Sequence, residues 1–174
     1  MNPHAMPGER GFTLIEALLV IVVIGVLLAL AAPSFITFTS GQKVKTASFE
    51  LYSTFTYARS EALKRRADVT ITAAGSDWKD GWTITSTTPA PNPSDPPISV
   101  TLRNQDPLSG VTMTPNPAGT LAVIYKANGR VVSGMSVLIQ PQSGDLSAVN
   151  PNRCVQLGST GLPKTTATDQ VICP

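Results

Sequence analysis

The chain has 174 residues, the length of one ordinary domain, of which 42% are hydrophobic and only 14% charged. Its formal net charge of +2 is too small to make a polyanion a bulk partner. A single histidine, His4, and two cysteines exclude a multi-histidine or four-thiolate metal centre and leave a histidine-based triad nowhere but the extreme N-terminus.

In chain order, the first signal is a run of apolar residues. Between Phe12 and Ala32 the only charge is Glu16, and residues 17–32 are all apolar or glycine. About 20 such residues in a helix span a hydrocarbon core of about 30 Å. Two readings are open on these residues. One is a secretory signal peptide cut at Ala29-Leu30-Ala31, although its apolar run exceeds the usual length of about 7–15 residues. The other is a retained membrane helix over 12–33 behind a short leader, residues 1–11.

The segment Gly11-Phe12-Thr13-Leu14-Ile15-Glu16 resembles the processing motif of type IV prepilins and pseudopilins. The resemblance implies cleavage after Gly11 on the cytoplasmic side by prepilin peptidase, N-methylation of Phe12, and an assembly role for Glu16, the fifth residue of the mature chain. A carboxylate in a membrane helix is costly without a partner. The resemblance supplies one, the cationic amine on Phe12 of a neighbouring subunit, which favours one axial register between helices. Gly25 and Pro33 stand where that family places helix-softening residues.

Pro33 lacks an amide donor and is expected to kink the helix, and Thr39-Ser40-Gly41 is a second soft point. Beyond it Val44, Ala47, Leu51, Phe55, Ala58 and Ala62 recur at steps of three or four and share one face. Gln42, Lys45, Glu50, Thr54, Arg59 and Arg65 fall largely elsewhere, with Arg59 and Glu61 read as solvated neighbours. The amphipathic part, 34–66, ends in Lys64-Arg65-Arg66, whose charges suit a helix C-terminus. A helix from about Phe12 to about Arg66 is roughly 80 Å long, too long for a membrane span alone.

Residues 67–174 read as a β-rich domain. Strands are expected at 68–74, 82–85, 98–102, 121–125, 131–140, 154–157 and 170–173. Asn128-Gly129 is a hairpin signal between the fourth and fifth of these. Five prolines between Thr88 and Pro97 mark a loop. The expected fold class is α+β: one long helix whose second half packs on an antiparallel assembly.

Tyr57-Ala58-Arg59-Ser60-Glu61-Ala62 and Trp78-x-x-Gly81-Trp82 resemble segments of GspH/FimT-like minor pilins and pseudopilins. Trp78 and Trp82 read as core or rim aromatics rather than a binding pair. The resemblance implies a low-abundance subunit that needs no cofactor and catalyses nothing. Its implied partners are other pilins, the peptidase, membrane lipid and the inner-membrane assembly platform. Its implied location is the bacterial inner membrane, single-pass with the C-terminal domain periplasmic, and then a pilus or pseudopilus. Export places Cys154 and Cys173 in an oxidising compartment, and a bridge there matches the C-terminal disulfide region of many type IV pilins; two buried thiols are the alternative.

No catalytic set emerges. Asp77 and Asp80 flank Lys79 in a surface turn, and Ser133-Gly134 and 158–161 read as turns without a partnered base. A second function stays open, because some FimT-like proteins take part in DNA uptake and are recognised by a Gly-Arg-x-Arg segment. The comparable residues here are Gly161-Leu162-Pro163-Lys164, with one lysine for two arginines. Arg153 and Lys164 are the candidate DNA contacts, a patch of two cations. A soluble secreted β protein is the third reading.

Overall fold

The computed structural model describes residues 11–92, 94–142, 152–168 and 173, with the backbone alone for 31–34. It has two compact units, 1–36 and 37–174. Helix α1, Leu14–Arg65, contributes to both. Eight strands follow: β1 Asp68–Ala73, β2 Trp82–Thr88, β3 Ile98–Gln105, β4 Val111–Asn116, β5 Ala122–Tyr125, β6 Met135–Pro141, β7 Asn152–Leu157 and β8 Pro163–Thr168. This is the expected α+β arrangement of a long helix followed by antiparallel sheets.

The helical periodicity is visible in burial. Val44, Ala47, Leu51, Phe55, Ala58 and Ala62 are all buried. They share one core with Val69, Ile71 and Ile84 on one side of the chain order and Val137, Ile139 and Val155 on the other. Burying a side chain such as Leu51 or Phe55 contributes about 1.5–3 kcal/mol. The helix stops at Arg66, which takes a left-handed conformation (φ 53°), while the Ala67 amide donates to the Ala62 carbonyl at 3.3 Å. That six-to-one bond satisfies a terminal carbonyl in the Schellman manner, without the usual glycine.

The strands form two antiparallel four-stranded sheets, in the orders β3-β2-β1-β5 and β4-β6-β7-β8. The chain changes sheet after β3, after β4 and after β5. The expected hairpin at Asn128-Gly129 is therefore only half realised. The turn forms, closed by the Lys126 amide on the Arg130 carbonyl at 2.8 Å and a single bridge between Tyr125 and Val131. The next strand does not pair with β5: it starts at Met135 and joins the other sheet between β4 and β7. Strands β4 and β8 were not expected from sequence. The expected strand at 170–173 lies outside the described residues apart from Cys173, and Pro89–Asn92 and Ser94–Pro97 carry no strand.

Candidate functional site

In the N-terminal unit, Gly11 and Phe12 precede the helix and are exposed. The Glu16 amide donates to Thr13 Oγ1 at 3.3 Å, and the Ala17 amide to the Thr13 carbonyl at 3.2 Å. Thr13 is thus the N-cap and Glu16 occupies the third helical position, the Thr-x-x-Glu spacing of a capping box. An acid there also complements the positive end of the helix dipole. From Leu14 to Leu30 the large apolar side chains are exposed. No single helix among the described residues is by itself long and apolar enough to cross a membrane; Leu14–Leu30 and Phe35–Arg65 are so together. Gly25 lies within this helix with open space where a Cβ would stand. The Pro33 side chain lies outside the described residues.

In the second unit, two polar residues of α1 that sequence set off the inward face or in solvent, Thr54 and Glu61, are buried. Thr54 is fully buried and accepts the Trp82 indole N–H at 2.9 Å. Trp78 donates to the Thr120 carbonyl at 2.7 Å. The ring centroids of Trp78 and Trp82 are 6.0 Å apart, and Phe55 meets Trp78 edge-on at 6.4 Å. The two tryptophans are thus core residues with both indole donors satisfied. The glycine between them has a steric cause: Gly81 sits at φ 90°, and a Cβ there would stand 2.2 Å from the Gln105 carbonyl oxygen.

Glu61 is also buried rather than solvated, and it does not pair with Arg59. Its carboxylate accepts from Arg65 Nε at 2.6 Å, with Lys64 Nζ 3.8 Å away. The Arg65 hydrogen bond holds its pKa below the ordinary value, against the opposing effect of burial and with help from the Lys64 and Arg65 charges. Arg59 turns the other way and donates to the Gly129 carbonyl at 3.1 Å. Beside it the Tyr125 hydroxyl donates to the Gly161 carbonyl at 3.1 Å. Burial pushes that phenol above its usual range, and the Arg59 charge opposes the shift only in part. Gly161 itself is at φ 77°, and a Cβ there would stand 2.2 Å from the Gly129 carbonyl oxygen. The end of α1, the 126–130 turn and the 158–161 turn are tied together at this point.

Cys154 and Cys173 form a disulfide with their α-carbons 5.6 Å apart, and both pack with Leu138. Asp77 caps the short 3-10 turn Trp78–Asp80 through the Lys79 amide, as its turn chemistry implied, and Lys79 Nζ lies 3.5 Å from Asp77 and 3.8 Å from Asp80. Among the described residues no cluster of three metal-ligating side chains exists. The two cations singled out from sequence border one groove but start from opposite faces of their sheet, since Arg153 stands opposite Ala167 and Lys164 opposite Gln156. Arg153 on β7 and Lys164 on β8 line a groove of about 660 Å³. Its other wall is α1, which contributes Lys45, Phe49 and Tyr52. From sequence Lys45 was placed only off the inward face, and Phe49 and Tyr52 were not picked out, because a face-by-face reading cannot show which strand passes beside them.

The family described as type II transport protein GspH matches residues 47–161, and the prokaryotic N-terminal methylation motif matches residues 6–32. A fimbrial protein of Pseudomonas aeruginosa is 27% identical over 138 residues, which is 77% of this chain and 80% of that protein. The type IV major pilin PilA of Myxococcus xanthus is 43% identical over 54 residues, 31% of this chain and only 24% of PilA. The fold is that of the minor pilin FimU of P. aeruginosa (TM-score 0.55, 24% identity, 75% of this chain and 92% of that one). It is likewise that of the minor pseudopilin EpsH of Vibrio cholerae (TM-score 0.54, 16% identity, 72% and 97%). A methylation motif, a long helix and a matching two-sheet domain occur in one polypeptide, and the chain belongs to the family described as type II transport protein GspH.

Proposed function

We propose that this protein is a minor structural subunit of a type IV pilus or a type II secretion pseudopilus. It is inserted with residues 1–11 cytoplasmic, cut after Gly11 by prepilin peptidase, methylated on Phe12, and drawn from the inner membrane into a fibre by a separate platform. The chain is the substrate of that processing and performs no catalysis. The observation that carries this reading is the methylation motif over 6–32 joined in one chain to the GspH match over 47–161. Its helix supports the role: Leu14–Leu30 offers a continuous apolar surface to lipid or to other helices. Glu16, on the first turn, is placed to meet the amine of a neighbour's Phe12, and Gly25 and Pro33 soften the rod for packing.

The mass of the mature N-terminal peptide tests this directly. A membrane-bound chain beginning with N-methyl-Phe12 is expected; one beginning at Ala32 and found free outside the cytoplasm refutes it. A second experiment isolates Glu16. Glu16→Leu should insert normally yet be recovered in sheared fibres at a tenth of the wild-type amount or less. Unchanged recovery removes Glu16 from the assembly role.

A further inference from the structure

The groove between α1 and β8 has features that no step of processing or anchoring uses. Three cations line it: Lys45 from the helix, Arg153 from β7 and Lys164 from β8, and no lining residue is acidic. Elsewhere in the domain, among the described residues, five cations are matched to acids, while Lys43, Arg59, Arg66 and Arg130 are not. Lys64 and Arg65 meet Glu61, Lys79 meets Asp77 and Asp80, Arg103 meets Glu50, and Lys126 meets Asp68. Among the described residues, the three groove cations take part in no such ion pair. Between them stand two aromatic side chains, Phe49 at 68% and Tyr52 at 38% exposure. The floor ends at β8, the terminal strand of its sheet among the described residues.

We propose that this groove seats an extended acidic segment of a neighbouring protein subunit. The proposal rests on the subunit reading above and names the surface by which the globular part takes part in it. Carboxylates of the segment meet Lys45 and Arg153 within the groove and Lys164 at its rim, on the edge strand, while its alternate side chains cover Phe49 and Tyr52. A sheet edge favours a polypeptide, because a strand laid along it gains main-chain hydrogen bonds while pockets beside it select side chains. Pro163 and Lys164 are the residues that keep such edges from pairing indiscriminately. A lysine on the edge repels a basic strand and admits an acidic one, which is specificity by exclusion. A nucleic acid is the lesser fit: affinity for phosphates grows with the number neutralised, and three cations on a chain of net charge +2 neutralise few.

The test uses the full chain purified from membranes in a neutral detergent. Its probes are a fluorescein-labelled alternating Glu-Val octapeptide, the matching Lys-Val octapeptide and a labelled oligo-dT of similar length, read by fluorescence anisotropy. The Glu-Val peptide should bind, weakening as salt rises, and at least tenfold more tightly than the Lys-Val peptide or oligo-dT. Arg153→Glu and Lys164→Glu should each weaken it tenfold or more while leaving the thermal melt within a degree or two. Absence of saturable Glu-Val binding, equal binding of the two peptides, or charge-reversed variants that bind as wild type overturn the proposal. Preference for oligo-dT overturns it in favour of a nucleic-acid groove. The N-terminal mass of the same preparation separates the two readings. Methyl-Phe12 without peptide selectivity sinks the groove alone, whereas a start at Ala32 sinks the subunit reading whatever the peptides do.

Discussion

The contact between Thr54 and Trp82 joins α1 to β2 through one buried hydrogen bond, and it makes a demanding prediction. Thr54 is 0% and Trp82 1% exposed, with the indole nitrogen 2.9 Å from the hydroxyl oxygen. Thr54→Val keeps the shape and removes the acceptor. The indole N–H then loses its acceptor while staying buried, and stranding a buried donor costs about 1–3 kcal/mol. For a folded unit the size of residues 37–174 that corresponds to a drop in melting temperature of about 3–12 °C. Near-ultraviolet circular dichroism of the full chain in detergent measures it, since the tryptophans report their own packing. Repeating the change in a Trp82→Phe background removes the donor first, and the hydroxyl should then matter by less than about 0.5 kcal/mol. A Thr54→Val variant that melts within a degree of wild type, or a penalty that persists after Trp82→Phe, refutes the hydrogen bond as a fastener between helix and sheet.

Three further outcomes follow from the same structure. Replacing Cys154 and Cys173 together by serine opens a loop bounded by residues 19 apart and should lower unfolding free energy by about 3 kcal/mol, read by urea denaturation with and without reductant; reductant should leave the double variant unchanged. Glu61 has a depressed pKa in the folded state, so its contribution is fully present above the ordinary carboxylate value of 4.5 and is lost as pH falls through the folded value. The stability gap between wild type and Glu61→Gln should therefore be widest near neutrality and shrink in acid; a gap that grows in acid contradicts the Arg65 pairing. Gly81→Ala forces a Cβ against the Gln105 carbonyl in a left-handed conformation, and it should lower the yield of folded protein and destabilise it by at least about 1–2 kcal/mol.

Much of the helix was legible because a 3.6-residue period is a property of the sequence alone. All six residues assigned to its inward face, from Val44 to Ala62, are buried. What the period could not show is which polar residues at its margin would be drawn in. Thr54 is buried because an indole donor arrives from β2, 28 residues away, and Glu61 because Arg65 reaches back one turn to cover it. Strands β1, β2 and β3 announced themselves through alternating Thr and apolar residues. Strand β8, Pro-Lys-Thr-Thr-Ala-Thr, has no apolar alternation to read, since it closes a sheet rather than filling its centre. The turn at Asn128-Gly129 was correctly located, but turn chemistry governs a few residues only. It cannot say that the chain, once reversed, leaves for the other sheet. The basic groove was legible on one wall, through Arg153 and Lys164. Its second wall needed the tertiary path of α1.

The buried stripe on α1 has a mechanical consequence. From Val44 to Ala62 it extends 18 residues, or about 27 Å along the axis, and all six of its side chains belong to one core with residues of both sheets. Traction applied along that rod loads the six anchors in shear, all at once, whereas a sideways pull would peel them off in succession. The grip is therefore one-sided and directional, holding best against a load along the helix axis.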